Sequence, residues 1–253
     1  MEVTYVDHMG SDLTVVNAAR VSMGRKSEYE TQVTQLGGLV CEASGAIKAW
    51  CENSQDGACS CPQQEAKSIN VLKEKDARLL KFLATHRHEM PFAHPHVSFH
   101  FKAPIFVARQ LAKHWVGGIW SEISRRYVSG APEFYWPPVW RKGSPDIKQG
   151  SLDEGIDELG MATMMNWKRG TETHALNAYT VALNAGVAPE LARMLLPQNV
   201  YTEWHWTGSL LFWARVWGLR VKPDAQKETR EIVQKIGPTM EGLFPVSWAV
   251  LTQ

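Results

Sequence analysis

Arg109, Gln110, Lys113 and His114 are followed closely by Ser121, Glu122, Ser124, Arg125 and Arg126, with Gly117 and Gly118 between the two groups. Forked guanidiniums, an ammonium and short hydroxyls gathered in one segment suit a phosphate-bearing ligand, because planar N–H forks match phosphate oxygens in pairs. A solvated, charged helix face is the plain alternative. The elements that must carry these groups are legible on either side. Val97, Phe99 and Phe101 alternate with Ser98, His100 and Lys102, the period of a half-buried strand. Pro104 then opens a helix at the first-turn position proline prefers, and the glycine pair is expected to end it. At helical spacing Arg109 and Lys113 lie one turn apart, as do Gln110 and His114, giving two polar ladders side by side. Ser121 to Arg126 are read as the loop that follows.

Composition narrows the field. A chain of 253 residues can bury one sizeable core, so one domain is the simplest organisation. The balance of 27 basic against 26 acidic residues argues against a protein that lives on the nucleic-acid backbone. No apolar run approaches the roughly 20 residues of a membrane span. The start, MEVTYVDHMG, lacks the basic and apolar regions of a signal peptide, so a cytoplasmic setting is expected, with neither nucleic acid nor membrane as partner.

The spacing predicts a strand over residues 3–6, helices over 12–19 and 73–86, and an aromatic, proline-interrupted loop over 134–140. A polar connector follows over 142–150. A long helix over 159–184 stops before Gly186, and Pro189 with Glu190 starts the next, which Pro197 ends. Further helices are expected over 210–217 and 225–236. Trp213 and Trp217, four apart, read as core. The pattern is α+β, without internal repeats.

The run Arg109-Gln110-Leu111-Ala112-Lys113-His114-Trp115, then eight residues to Ser124, with Glu122 before it and Arg126-Tyr127 after it, resembles the signature of the flavin-dependent thymidylate synthases. That signature reads RQ-x-x-RHR, then NE-x-S-x-RY. GSDLTVVNAARVSMG, HEMPFAHPHVSFHFKAPIFVARQ and APELARMLLPQNVYTEWHWTGS, with the later Leu219-Arg220, match other family segments in order. The likeness covers about four fifths of the chain, and its wording is most similar to the virus-encoded branch. It implies an α+β fold with a mixed central sheet, as a single-domain subunit of a homotetramer whose active sites are shared. It also implies reductive methylation of dUMP to dTMP, with methylenetetrahydrofolate as one-carbon donor and FAD, reduced by NADPH, supplying the hydride.

Site roles follow from the same resemblance. Gln110, Arg126 and Arg193 match residues that hold the nucleotide phosphate and sugar, and Lys113, Glu122, Ser124 and Arg125 complete that set. Arg220 matches the arginine that contacts the uracil ring and favours its N3-deprotonated form, which makes it the expected catalytic residue. Ser124 is a nucleotide contact rather than a nucleophile. Ser22, His88, His114 and Glu122 match flavin contacts. Here the family's first signature arginine is Lys113, its second is Trp115, and its asparagine is Ser121. Its later Asn-x-Arg is Ser209-Leu210-Leu211, and a further asparagine is Arg215. Lysine keeps the charge and loses the fork; tryptophan loses both and offers stacking. The flavin site is therefore expected in outline, rewired at Lys113, Trp115, Ser121, Ser209 and Arg215.

The family match makes His94, His96 and His100 structural or substrate-lining rather than a metal cluster, and no metal is expected. Residues 38–68 match nothing in the family and read as an insertion holding Cys41, Cys51, Cys59 and Cys61. A structural zinc, disulfides and a plain surface loop are all open for these thiols, though Cys-x-Cys is not the usual paired zinc spacing. Their position away from the nucleotide motifs argues against thiolate attack on the pyrimidine. The altered signature also leaves open the same chemistry on another base, as dCMP methylation or hydroxymethylation, and a non-catalytic nucleotide-binding relative.

Overall fold

A computed structural model of the chain describes residues 1–33, 68–128, 130–145 and 150–253. Its centre is a four-stranded sheet in the order β1 (Glu2–Met9), β4 (His96–Pro104), β6 (Tyr201–Ser209), β5 (Gly118–Glu122). Every pairing is antiparallel, in place of the mixed sheet expected. β4 and β6 share one period. Val97, Phe99, Phe101 and Ala103 point into the core together with Trp204 and Trp206. Ser98, His100, Lys102, Glu203 and His205 line the opposite, wetter face, where Ser98 and Thr207 hydroxyls meet at 2.8 Å and His100 Nε2 lies 3.3 Å from Glu203.

The inner face is closed by α6 (Leu210–Arg220), whose sequence LLFWARVW is apolar nearly all round and is buried accordingly. Phe101 stacks between Trp204 and Trp213, with ring centroids 5.2 and 6.2 Å away, and Trp213 donates its indole N–H to the Val97 carbonyl at 3.1 Å. Around this layer pack α1 (Asp12–Arg20), α2 (Glu74–Thr85), α7 (Lys227–Gln234), α8 (Gly237–Leu243) and α9 (Pro245–Leu251). Asp12, almost fully buried, accepts the Val246 and Ser247 amides at 2.9 Å each, and so caps α9 from across the fold.

β2 (Glu30–Val33) and β3 (Ser68–Val71) form a separate antiparallel ribbon. Cys41, Cys51, Cys59 and Cys61 of the expected insertion lie outside the described residues, as do 146–149 of the polar connector. α4 (Glu158–Asn184) begins at the Asp157 cap, whose carboxylate accepts the Gly160 amide at 2.7 Å, and the chain leaves it through Gly186 at φ 84°. α5 (Pro189–Ala192) is a single turn continued by a 3-10 turn, and so ends before Pro197.

The signature segment departs from expectation in two ways. α3 (Ile105–Leu111) stops well before the glycine pair, with Pro104 as its cap residue. Lys113 and His114 therefore sit in the turn after it, and the two ladders do not form. Ser121 and Glu122, expected in a loop, close strand β5. The glycines act at the strand instead. Gly117 takes φ 85°, and Gly118 pairs with Gly208 beneath the Phe212 ring, where added Cβ atoms would lie 2.6 and 2.0 Å from ring carbons. That ring contact seats the signature loop on α6.

Candidate functional site

Three groups of functional side chains emerge. The first surrounds Arg220, the last residue of α6, where a cation also suits the helix C-terminus. Its Nε donates to His114 Nε2 at 2.8 Å and its Nη2 to the Gln110 carbonyl at 3.3 Å. Burial, then the Arg220 charge, pushes His114 from 6.5 down to about 4. The imidazole is thus neutral at physiological pH, and the hydrogen bond assigns its proton to Nδ1. Burial lowers the Arg220 pKa as well, but a guanidinium remains protonated.

Behind this pair runs a hydrogen-bonded chain absent from the sequence reading. Gln110 Oε1 accepts from Thr229 Oγ1 at 3.1 Å, and Gln110 Nε2 donates to Gln226 Oε1. Gln226 Nε2 donates to Glu228 at 3.0 Å, and Glu228 receives Arg141 at 2.7 Å, whose Nε reaches Ser151 Oγ at 2.6 Å. Burial raises the Glu228 pKa, yet the donors around it outweigh that and hold it below the usual value. A signal for these residues was present: Glu228 and Thr229 fall on the same α7 stripe as Ile232 and Val233, polar groups where apolar ones belong. An aromatic cavity of about 490 Å³ adjoins the chain, walled by Phe106, Tyr135, Trp136 and Trp140.

The second group lines a cavity of about 160 Å³ at the other end of the signature loop. Glu122, Arg125 and Arg193 meet there with Lys102, Glu133 and Glu203. Glu122 accepts from Thr202 Oγ1 at 2.6 Å and from Trp120 Nε1 at 3.1 Å. Arg125 donates to the Gly130 carbonyl, and Arg193 Nε to the Glu190 carbonyl at 3.2 Å. The Arg126 backbone N–H and Nε both reach Ser124 Oγ, and its guanidinium lies 5.0 Å from the Tyr127 ring centre.

The third group lies between α1 and α2. Ser22 and His88 line a cavity of about 740 Å³ with an apolar wall of Ala18, Leu79 and Phe82 and with cations at Lys75 and Arg78. Arg87, at φ 54°, makes the left-handed turn that precedes His88. Arg215 bridges from α6 to Glu89 at 2.6 Å. Ser209 is buried, with its hydroxyl capping α6 by accepting the Phe212 amide at 3.1 Å. Lys113 and Ser121 are exposed, and Trp115 is 75% exposed. Among the described residues no hydrogen bond joins the three groups, and no cluster of three metal-ligating side chains occurs.

Residues 4–246 match the family model described as thymidylate synthase complementing protein. The chain belongs to that family. Similar family members include the flavin-dependent thymidylate synthase of Thermus thermophilus, 34% identical over 251 residues, covering 99% of this chain and 75% of that one. The enzyme of that name from Thermotoga neapolitana is 31% identical over 229 residues, covering 90% of this chain and 80% of that one. Among solved structures, the UMP/dUMP methylase PolB from Streptomyces cacaoi bound with 5-Br dUMP aligns with a TM-score of 0.70 and 25% identity, over 99% of this chain and 94% of that one.

A flavin is the cofactor that the relatives' name implies, and the Ser22–His88 cavity fits one by its chemistry. An apolar wall suits a flat ring system, and Lys75 supplies positive charge for phosphates, while Arg78 is paired with Glu74 at 3.3 Å. Ser22 and His88 would hold the flavin there. Ser209 accepts the Phe212 amide at its hydroxyl oxygen and keeps its own O–H free to donate.

Proposed function

We propose that this chain converts dUMP to dTMP by reductive methylation at C5, with methylenetetrahydrofolate as one-carbon donor and a flavin reduced by NADPH. The observation that carries this reading is Arg220, a half-buried cation held by two neutral acceptors, with Nη1 bonded to no protein group among the described residues. A fixed positive charge lowers the cost of negative charge developing on a pyrimidine ring and favours N3 deprotonation. His114, being neutral, orients that charge without adding a competing one. Arg125, Arg126 and Arg193 offer guanidinium nitrogens for the nucleotide phosphate. The flavin and the folate, when bound, supply hydride and the one-carbon unit.

We further propose a homotetramer whose active sites are completed between subunits. Supporting this, Arg220, the Arg193 cavity and the Ser22–His88 cavity are separate groups within one chain. The signature loop also leaves Trp115, Ile119 and Tyr127 exposed, and α4 buries only Tyr179 among its described side chains. On motif wording we place the chain in the virus-encoded branch, working in the host cytoplasm. Among the described residues no helix is long and apolar enough to cross a membrane.

The deciding experiment supplies FAD, NADPH and methylenetetrahydrofolate anaerobically, with equal dUMP and dCMP, and identifies products by mass spectrometry. Thymidylate is expected. Methylated or hydroxymethylated dCMP would instead support the second reading, which Lys113 and the exposed Trp115 in place of arginines favour.

A further inference from the structure

Arg220 makes both of its hydrogen bonds to the end of α3. One acceptor is the Gln110 carbonyl, in the last turn of that helix, where carbonyls lack helical partners. The other is His114, tied back to the same end by its amide bond to the Leu111 carbonyl at 2.9 Å. Whatever fixes the end of α3 therefore fixes the guanidinium.

That end is gripped by α7. The Gln110 amide is held at its oxygen by Thr229 and at its nitrogen by Gln226, while Gln226 is anchored on Glu228 and Glu228 on Arg141. Thr229 is fully buried and Glu228 is 3% exposed. A buried polar chain of this kind is a costly way to join two helices, because an apolar contact of similar volume would stabilise them at least as well. It does define direction, since hydrogen bonds specify a register that apolar packing leaves loose.

We propose that Gln226 and Thr229, backed by Glu228 and Arg141, are positioning residues that clamp Gln110 and thereby hold Arg220 in the orientation turnover requires. The turnover part rests on the function proposed above. Gln110 contributes through its carbonyl and its clamped amide, and Thr229 and Gln226 act only through it.

The test uses the full chain and the variants Thr229→Val, Gln226→Met and Thr229→Ser. Valine keeps the threonine shape and removes the hydroxyl, and serine keeps the hydroxyl. Four quantities are read: kcat for dUMP, the dUMP Kd, Tm, and the titration of His114 by NMR of histidine-labelled protein. Thr229→Val and Gln226→Met should lower kcat about tenfold with Kd changed less than about twofold, as expected for a misaligned rather than missing group. In both, the His114 midpoint should rise toward 6.5 as Arg220 drifts away, and Thr229→Ser should retain wild-type values throughout. An unchanged kcat and His114 titration in Thr229→Val would overturn the proposal. So would a loss of activity that follows Tm with no movement of His114, or a serine variant as impaired as the valine one. If the wild-type chain converts no dUMP, the functional reading fails and the histidine titration alone decides the clamp.

Discussion

Replacing His114 by glutamine removes a titrating group while keeping an oxygen that can accept from Arg220, which isolates what proton uptake at this position costs. His114 titrates at about 4 in the folded chain against 6.5 in an unfolded one. Between those values the unfolded chain binds a proton that the folded chain refuses. Stability is therefore complete above 6.5 and is lost as pH falls from 6.5 toward 4. A displacement of about 2.5 in pKa corresponds to roughly 3 kcal/mol at 1.36 kcal/mol per unit. The ring is only about half-buried, so solvent screening reduces this to about 1–2 kcal/mol. Urea unfolding followed by tryptophan fluorescence, at fixed protein concentration and at steps from pH 7 to pH 4, should show wild type losing that much more than His114→Gln. Carboxylates and other histidines contribute alike to both proteins and cancel. Parallel pH profiles would refute the assignment, as would a folded-state His114 midpoint near 6.5.

Other consequences are independent of this one. Gly208→Ala would drive a methyl to 2.0 Å from the Phe212 ring, and the overpacking should cost about 1–3 kcal/mol, seen as a lower Tm; an unchanged Tm would mean the ring does not fasten the signature loop. Asp12→Ala strands the Val246 and Ser247 amides and should cost about 2–3 kcal/mol in denaturant unfolding, with a loss below half a kcal/mol counting against the cap. Trp115→Arg restores a charged fork to the signature and should tighten FAD binding measured by flavin fluorescence; unchanged affinity would place Trp115 outside the flavin site.

Where the sequence was legible, one strong local signal decided the element. The alternation from Val97 to Phe101 marked β4, and the Gly186 exit closes α4 at its expected end. The end of α3 was hidden because Ala112 and Lys113 are good helix formers, and nothing local forbids another turn. The chain leaves the helix to pair Gly118 with Gly208, a contact with a residue far along the sequence. β6 carries its own period as well, with Thr202, Trp204 and Trp206 inward, inside a segment that also bears a family motif. The predicted ligand residues lay on recognisable motifs. The clamp did not, because its members are ordinary polar residues whose meaning comes from burial against Gln110.

The surroundings of Arg220 also set its guanidinium apart from those that a carboxylate holds. Arg20, bonded to Asp76 and 3.1 Å from it at Nε, is neutralised by a carboxylate, as are Arg141 by Glu228 and Arg215 by Glu89. Arg220 has no carboxylate within ion-pair distance among the described residues, and its partners are an imidazole nitrogen and a peptide oxygen. Its position is fixed while its charge stays uncompensated, so an anion arriving beside it gains the full interaction. His114→Glu tests this directly. Glutamate can still accept from Arg220, and pairing the charge should hold or raise Tm, but the counter-ion would spend the field the ring needs. Turnover should fall at least about tenfold below that of His114→Gln. Equal rates in the two variants would mean that Arg220 serves by shape and hydrogen bonding alone.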